Sequence, residues 1–141
     1  MSVRPTLQAM MLADHVYMDA STGKKVIAGA FHRLAAEAFP CNFDETKVAF
    51  LSLTGLHGVA DLTLRYVDLS NGETLMEIEG VHVESEDPLQ TVELVVELPK
   101  LPMPHPGAYA FEAHWEGELL GVVRLFVAPA EHADEPASDE A

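Results

Sequence analysis

Apolar and polar residues alternate with a period of two in stretch after stretch of this chain, and that alternation restricts its fold more sharply than anything else in it. In ADLTLRYVD (60–68), Leu62, Leu64 and Tyr66 fall on one face, with Asp61, Thr63 and Arg65 on the other. TVELVVEL (91–98) sets Val92, Leu94, Val96 and Leu98 against Glu93 and Glu97, and YAFEAHWE (109–116) sets Tyr109, Phe111, Ala113 and Trp115 against Glu112, His114 and Glu116. Strands with one buried and one wet face read this way. An amphipathic helix would repeat its apolar positions every three to four residues instead. Turn chemistry separates the runs: Asn71-Gly72 in SNGE, Gly117 in WEGEL and the glycine of LHGV (56–59) all tolerate the positive φ of tight hairpins.

These signals predict eight strands, near 8–18, 25–34, 47–55, 60–68, 74–83, 90–98, 108–116 and 119–127. Short, evenly spaced strands joined by hairpins favour an all-β, two-sheet Greek-key sandwich of immunoglobulin-like type over a parallel fold. One domain is expected over 1–128. The long connection AAEAFPCNFDET (35–46) has room for a helical turn before Pro40 and carries the chain between sheets. LPKLPMPHPG (98–107) reads as an extended, polyproline-like bridge. Its Pro99-Lys-Leu-Pro102 matches PxxP, a pattern that in a tethered loop serves structure. PAEHADEPASDEA (129–141) holds five acids, no Lys or Arg and no apolar period, which predicts a disordered solvating tail.

A chain of 141 residues buries a sizeable core without staples. Its formal charge is -15, and its eight bases (Arg4, Lys24, Lys25, Arg33, Lys47, Arg65, Lys100 and Arg124) are scattered. Displacing counterions from nucleic acid or docking on an anionic membrane needs clustered positive charge, so neither partner is expected. Cys41 is the single cysteine, which excludes an intrachain disulfide and a thiolate metal cage. The first apolar run is shorter than a signal peptide's core, and none approaches a membrane span. A cytoplasmic protein is expected.

MDASTGKK (18–25) needs separate treatment, because Gly23-Lys24 imitates the end of a phosphate-binding loop. Such a loop requires Gly-x-x-x-x-Gly-Lys-Ser/Thr between a strand and a helix. Here Met18 stands at the first glycine and Lys25 at the Ser/Thr, and KVIAGAFHRL flows on into a strand. A hairpin tip explains the residues better: Asp19 accepts backbone N–H bonds and Gly23 closes a bulged turn. ADHVYMDASTGKKVIAGAF also resembles the opening signature of a family of small uncharacterised bacterial proteins, with Asp14, Asp19, Thr22, Gly23, Lys24, Gly29 and Phe31 at matching positions. PGAYAFEAHWEGELLG is similar to that family's closing hairpin. The resemblance spans residues 10 to about 127 and implies a β-sandwich without an activity to carry over.

Candidate chemistry is sparse. Seven histidines lack HxH or HExxH spacing; the best local metal set is Glu112, His114 and Glu116 on one strand face, and an ordinary solvated row accounts for it equally well. Asp14 shares a face with Met10, Leu12, Val16 and Met18, so a buried carboxylate there would be a structural staple or a functional group with a perturbed pKa. No Gly-x-Ser-x-Gly elbow occurs, and Cys41 has no partner evident in sequence. The expectation is therefore a non-catalytic binding module without metal or cofactor. Its unidentified protein partner, or a second copy, docks on a sheet edge or wet face. The alternative is a small-molecule or metal-ligand carrier using the sandwich end near the Pro-rich bridge, followed by an enzyme of unrecognised type. The binding candidates are Asp14, Asp19, His105, Glu112, His114 and Glu116.

Overall fold

The structure, a computed structural model, describes residues 3–130. Its regular elements among these are strands: β1 (Thr6–Met18), β2 (Lys25–Phe31), β3 (Arg33–Ala36), β4 (Cys41–Phe43), β5 (Lys47–Thr54), β6 (Gly58–Asp68), β7 (Glu73–Ser85), β8 (Val92–Leu98), β9 (Leu101–Met103), β10 (Gly107–Trp115) and β11 (Glu118–Pro129). They form a four-stranded sheet ordered β2-β1-β5-β8, a five-stranded sheet ordered β3-β11-β10-β6-β7, and the small β4-β9 pair. Seven of the eight expected segments are each one strand, while the expected strand 25–34 is divided at His32 between β2 and β3 in different sheets; the two sheets stack as a sandwich.

Three short strands depart from expectation. Where a helical turn was expected before Pro40, β3 runs parallel to β11 and β4 pairs with β9. Arg33–Ala36 meets the otherwise open edge of β11, and that ladder outweighs any local helical preference. The Pro-rich bridge likewise contains a strand: Leu101 and Met103 are buried, while Pro102, which has no N–H to give, sits opposite Asn42 in a two-strand pair where a missing donor is tolerated. The expected tail start at 129 is also corrected, because Pro129 still pairs with Ala36 and closes β11. The rest of the acidic segment, from 131, lies outside the described residues.

The core is the sum of the inward faces. Leu12, Ala49, Leu51 and Leu53 come from the four-stranded sheet; Leu62, Leu64, Tyr66, Tyr109, Phe111, Ala113, Trp115, Leu125 and Val127 come from the five-stranded one. Trp115 is 6% exposed, as its place in the alternation requires. The tip at 18–25 is a bulged hairpin. Asp19 N–H donates to the Lys24 carbonyl (2.8 Å), Gly23 N–H donates to the Asp19 carbonyl (2.7 Å), and Gly23 has φ +74°.

Two crossings fix the outline of the molecule. β2 and β3, edges of different sheets, are separated by His32 alone, so one continuous segment lines one flank of the sandwich. β7 and β8 line the opposite flank. Lys25 Nζ lies 3.1 Å from Glu93 Oε1 on β8; the contact joins diagonal corners of the four-stranded sheet, which therefore curls. Among the described residues no helix is long and apolar enough to cross a membrane.

Candidate interaction surface

At one end of the sandwich β6 finishes and β10 begins, with Asp68 directly opposite Tyr109 in the ladder. The Tyr109 hydroxyl donates to the His105 carbonyl and accepts from the His105 N–H (3.3 Å). This is the tyrosine corner of immunoglobulin-type sandwiches, a ring that ties a strand's start to the backbone just upstream. Asp68, 1% exposed, accepts at Oδ1 from the Ser70 N–H (2.9 Å) and hydroxyl (2.7 Å), and at Oδ2 meets His105 Nε2 (2.7 Å).

Asp, His and Ser in contact invite a catalytic reading, and the wiring argues against it. His105 Nδ1 lies 2.7 Å from the Pro106 carbonyl, which can only accept, so Nδ1 carries a proton. Nε2 faces the Asp68 carboxylate at 2.7 Å, which also accepts, so neither ring nitrogen is left bare and aimed at Ser70. A general base for serine needs a bare Nε2 aimed at the hydroxyl. Here Ser70 Oγ is nearer Asp68 (2.7 Å) than Nε2 (3.3 Å). The electrostatics agree with a clamp: the Pro106 carbonyl and then Asp68 hold the His105 pKa above the usual imidazole value. Burial pushes the Asp68 carboxyl up, but the Ser70 hydrogen bonds and His105 outweigh it and leave its pKa below the ordinary aspartate value. Burial raises the Tyr109 phenol. A shallow hollow nearby is lined by Pro40, Cys41, Asn42, Pro102, Met103 and Pro104, and includes neither Asp68 nor His105.

The other sequence candidates disperse. Asp14 is not buried among apolar neighbours: β1 runs past the core after Ala13, leaving the Asp14 side chain 45% exposed and Met18 largely so. It is tied to charge rather than to backbone N–H groups, with Lys47 Nζ at 2.6 Å. That ammonium also meets Glu45 (3.4 Å) and sits over the Phe31 and Phe43 rings. Asp19 accepts from the Ser21 N–H and hydroxyl (both 2.9 Å) at the hairpin tip, bonds that lower its pKa. Glu112 and His114 do touch, Oε1 to Nε2 at 2.8 Å, on the outer face of the five-stranded sheet. Glu116 is not on that face: β10 ends at Trp115, and Glu116 (φ +49°) and Gly117 (φ +83°) form the hairpin turn. Among the described residues no group of three His, Cys, Asp or Glu could hold a metal ion. Sequence reading missed Asp68, Ser70 and Lys47, although Asp-x-Ser before Asn-Gly is a local signal for the turn that Asp68 caps.

The two flanks differ in charge. Residues 73–99, spanning β7 and β8, hold eight acids (Glu73, Glu77, Glu79, Glu84, Glu86, Asp87, Glu93 and Glu97) and no Lys or Arg. Two register shifts against β6 further irregularise β7. Charges and bulges are devices that keep an edge strand from pairing with another chain. Residues 20–36, spanning β2 and β3, hold no acid at all and three of the chain's eight bases. β2 itself, KVIAGAF, has neither an acid nor a proline, and Tyr17 and Val26, paired across the hairpin, are about half exposed.

Comparison with curated proteins finds no match. Among solved structures, the chain is similar to an immunoglobulin-like protein of Pseudomonas aeruginosa at 15% identity, covering 89% of this chain and 97% of that one with a TM-score of 0.49. The model of a family of unknown function, DUF6941, matches residues 8–128. With that match spanning most of its length, the chain belongs to the DUF6941 family of unknown function.

Proposed function

We propose that this protein is a non-catalytic, cytoplasmic binding module whose protein partner docks along the β2–β3 flank. One observation carries the reading: β7 and β8 bear acids and no base, while the segment forming β2 and β3 bears bases and no acid. An edge strand offers a row of unpaired N–H and C=O groups, and adding a strand there gives affinity through main-chain hydrogen bonds. Proteins that gain nothing from such an edge guard it, as this one guards β7 and β8. The end-of-sandwich polar groups are spent on one another, Asp68 on Ser70 and His105, which leaves the flank as the better-supported site. A free Cys41 accords with a reducing compartment.

Site-specific photocrosslinking in the producing cells tests this. A photoreactive residue replaces Val26 on β2 in one variant and Val95 on β8 in another; both side chains are 40–48% exposed. A discrete adduct with a different protein is expected at 26 and not at 95. Equal adducts at both positions, adducts at 95 alone, adducts with copies of this chain alone, or none at either position would overturn the proposal.

A further inference from the structure

We propose that the partner presents an acidic, extended segment whose carboxylates are held by Arg33 and Arg124 on either side of Phe126, an inference that rests on the flank-docking reading. Arg33 opens β3 and faces Phe126 of β11 in register, its guanidinium 4.9 Å from the ring centroid. Arg124 lies two residues earlier on β11, on the same outer face, and Val122 two earlier again. Phe126 and Val122 are 41% and 47% exposed. Across the ladder stand Ala108, Ala110 and Glu112; Ala108 is exposed and Ala110 fully buried. The patch adjoins the β2–β3 crossover at His32, whose carbonyl accepts from the Phe126 N–H (2.8 Å).

The charge state of these arginines points to the ligand. The chain holds 23 acids against eight bases, and Arg4, Lys25, Lys47 and Arg65 all take carboxylate partners. Arg33 and Arg124 take none among the described residues: residues 20–36 and 119–130, which carry them, contain no acid, and Glu112, opposite Val122 on β10, is taken by His114. A guanidinium stacked on an aromatic face keeps its N–H edges free, and that planar fork matches a carboxylate in two-point contact. Same-face positions recur about every 7 Å along a strand. Carboxylates at alternate residues of an extended segment therefore match the spacing of the two cations around the ring. The net charge of -15 does not forbid an acidic partner. Exposed charges more than about 8 Å apart are largely screened at physiological salt, and apart from Glu93, which pairs with Lys25, the acids of β7 and β8 belong to strands at the other edge of each sheet.

The test uses the full chain and three fluorescein-labelled nine-residue peptides of one alternating pattern, with Glu, Gln or Lys at the polar positions beside Val. Anisotropy measures affinity, and amide chemical shifts locate the site. The Glu peptide is expected to bind at β2, β3 and β11, and to lose about tenfold or more in affinity with Arg33→Glu/Arg124→Glu, the scale of losing a charge-assisted pair. Arg33→Ala/Arg124→Ala, which adds no charge, should show a smaller loss in the same direction, and Lys100→Glu should bind as the parent does. If the Gln peptide binds the same strands equally well, the acidic inference falls and flank docking stands. If no peptide shifts β2 or β3, or shifts fall on β7 and β8, both fall. Weakening by Lys100→Glu equal to that of the double variant, or tighter binding of a 12-base-pair DNA duplex than of the Glu peptide, also overturns the acidic-segment assignment.

Discussion

Gly29→Ala is the substitution whose cost the structure specifies most fully, and two separable terms contribute. Gly29 has φ +72°, and a Cβ built there would lie 2.4 Å from Asp14 Oδ2 and 2.7 Å from its Cγ. Holding an alanine in the left-handed region costs about 1–2 kcal/mol. The carboxylate must also swing aside, breaking its 2.6 Å contact with Lys47. Because Asp14 is nearly half exposed, that pair is screened and contributes only ~0.5–1 kcal/mol. The sum is ~1.5–3 kcal/mol, or a fall in Tm of about 5–11 °C for a domain near this size. Urea unfolding of the four proteins in the cycle with Asp14→Ala checks both terms. In the Asp14→Ala background, Gly29→Ala should cost only the backbone term, giving a coupling of ~0.5–1 kcal/mol, at the low end for contacting residues. A Gly29→Ala cost below about 0.5 kcal/mol would refute the backbone term, since L residues pay more than that in this region. A cost unchanged by Asp14→Ala would show that the carboxylate does not occupy the space over Gly29.

Three further outcomes are expected. Trp115→Ala should destabilise by about 3–5 kcal/mol, as for other buried aromatics, and a loss below about 1 kcal/mol in denaturant melts would place the ring outside the core. The Asp68–His105 clamp should give stability a two-sided pH profile. His105 has a raised pKa, so its contribution is complete below the ordinary imidazole value of about 6.5 and fades as pH rises through its folded pKa. Asp68 has a lowered pKa, so its contribution is complete above about 4 and is lost as pH falls through its folded value. His105→Gln should flatten the alkaline limb in thermal melts; a limb that survives unchanged would mean another group titrates there. Deleting 131–141, which removes five acids and no Lys or Arg, should leave Tm within about 2 °C, because these residues lack the apolar surface that repays ordering. A larger fall by calorimetry would show that this segment is bound to the folded body.

The alternation of Leu62, Leu64 and Tyr66, of Val92 to Leu98, and of Tyr109 to Trp115 determined by itself that the chain is all-β, which faces are buried and that Trp115 is core. Asn71-Gly72, Gly117 and Asp19 to Gly23 marked their turns. All of this is legible because the period of a strand and the φ demands of a turn are local properties, carried by residues a few positions apart. The tertiary structure alone decided the rest. β3, β4 and β9 are too short to carry a period, and they exist because a neighbouring edge completes their hydrogen bonds. Asp68 meets His105 37 residues along the chain, and Asp14 meets Lys47 33 residues along; strand order brings these groups together, and no spacing rule announces it. The candidate interaction surface is of the same kind. Its bases and missing acids are plain in the sequence, but they become one flank only because β2 and β3 are edges of different sheets joined by a single residue. Arg33 and Arg124, 91 positions apart in the sequence, bracket Phe126 only because β3 lies parallel to β11.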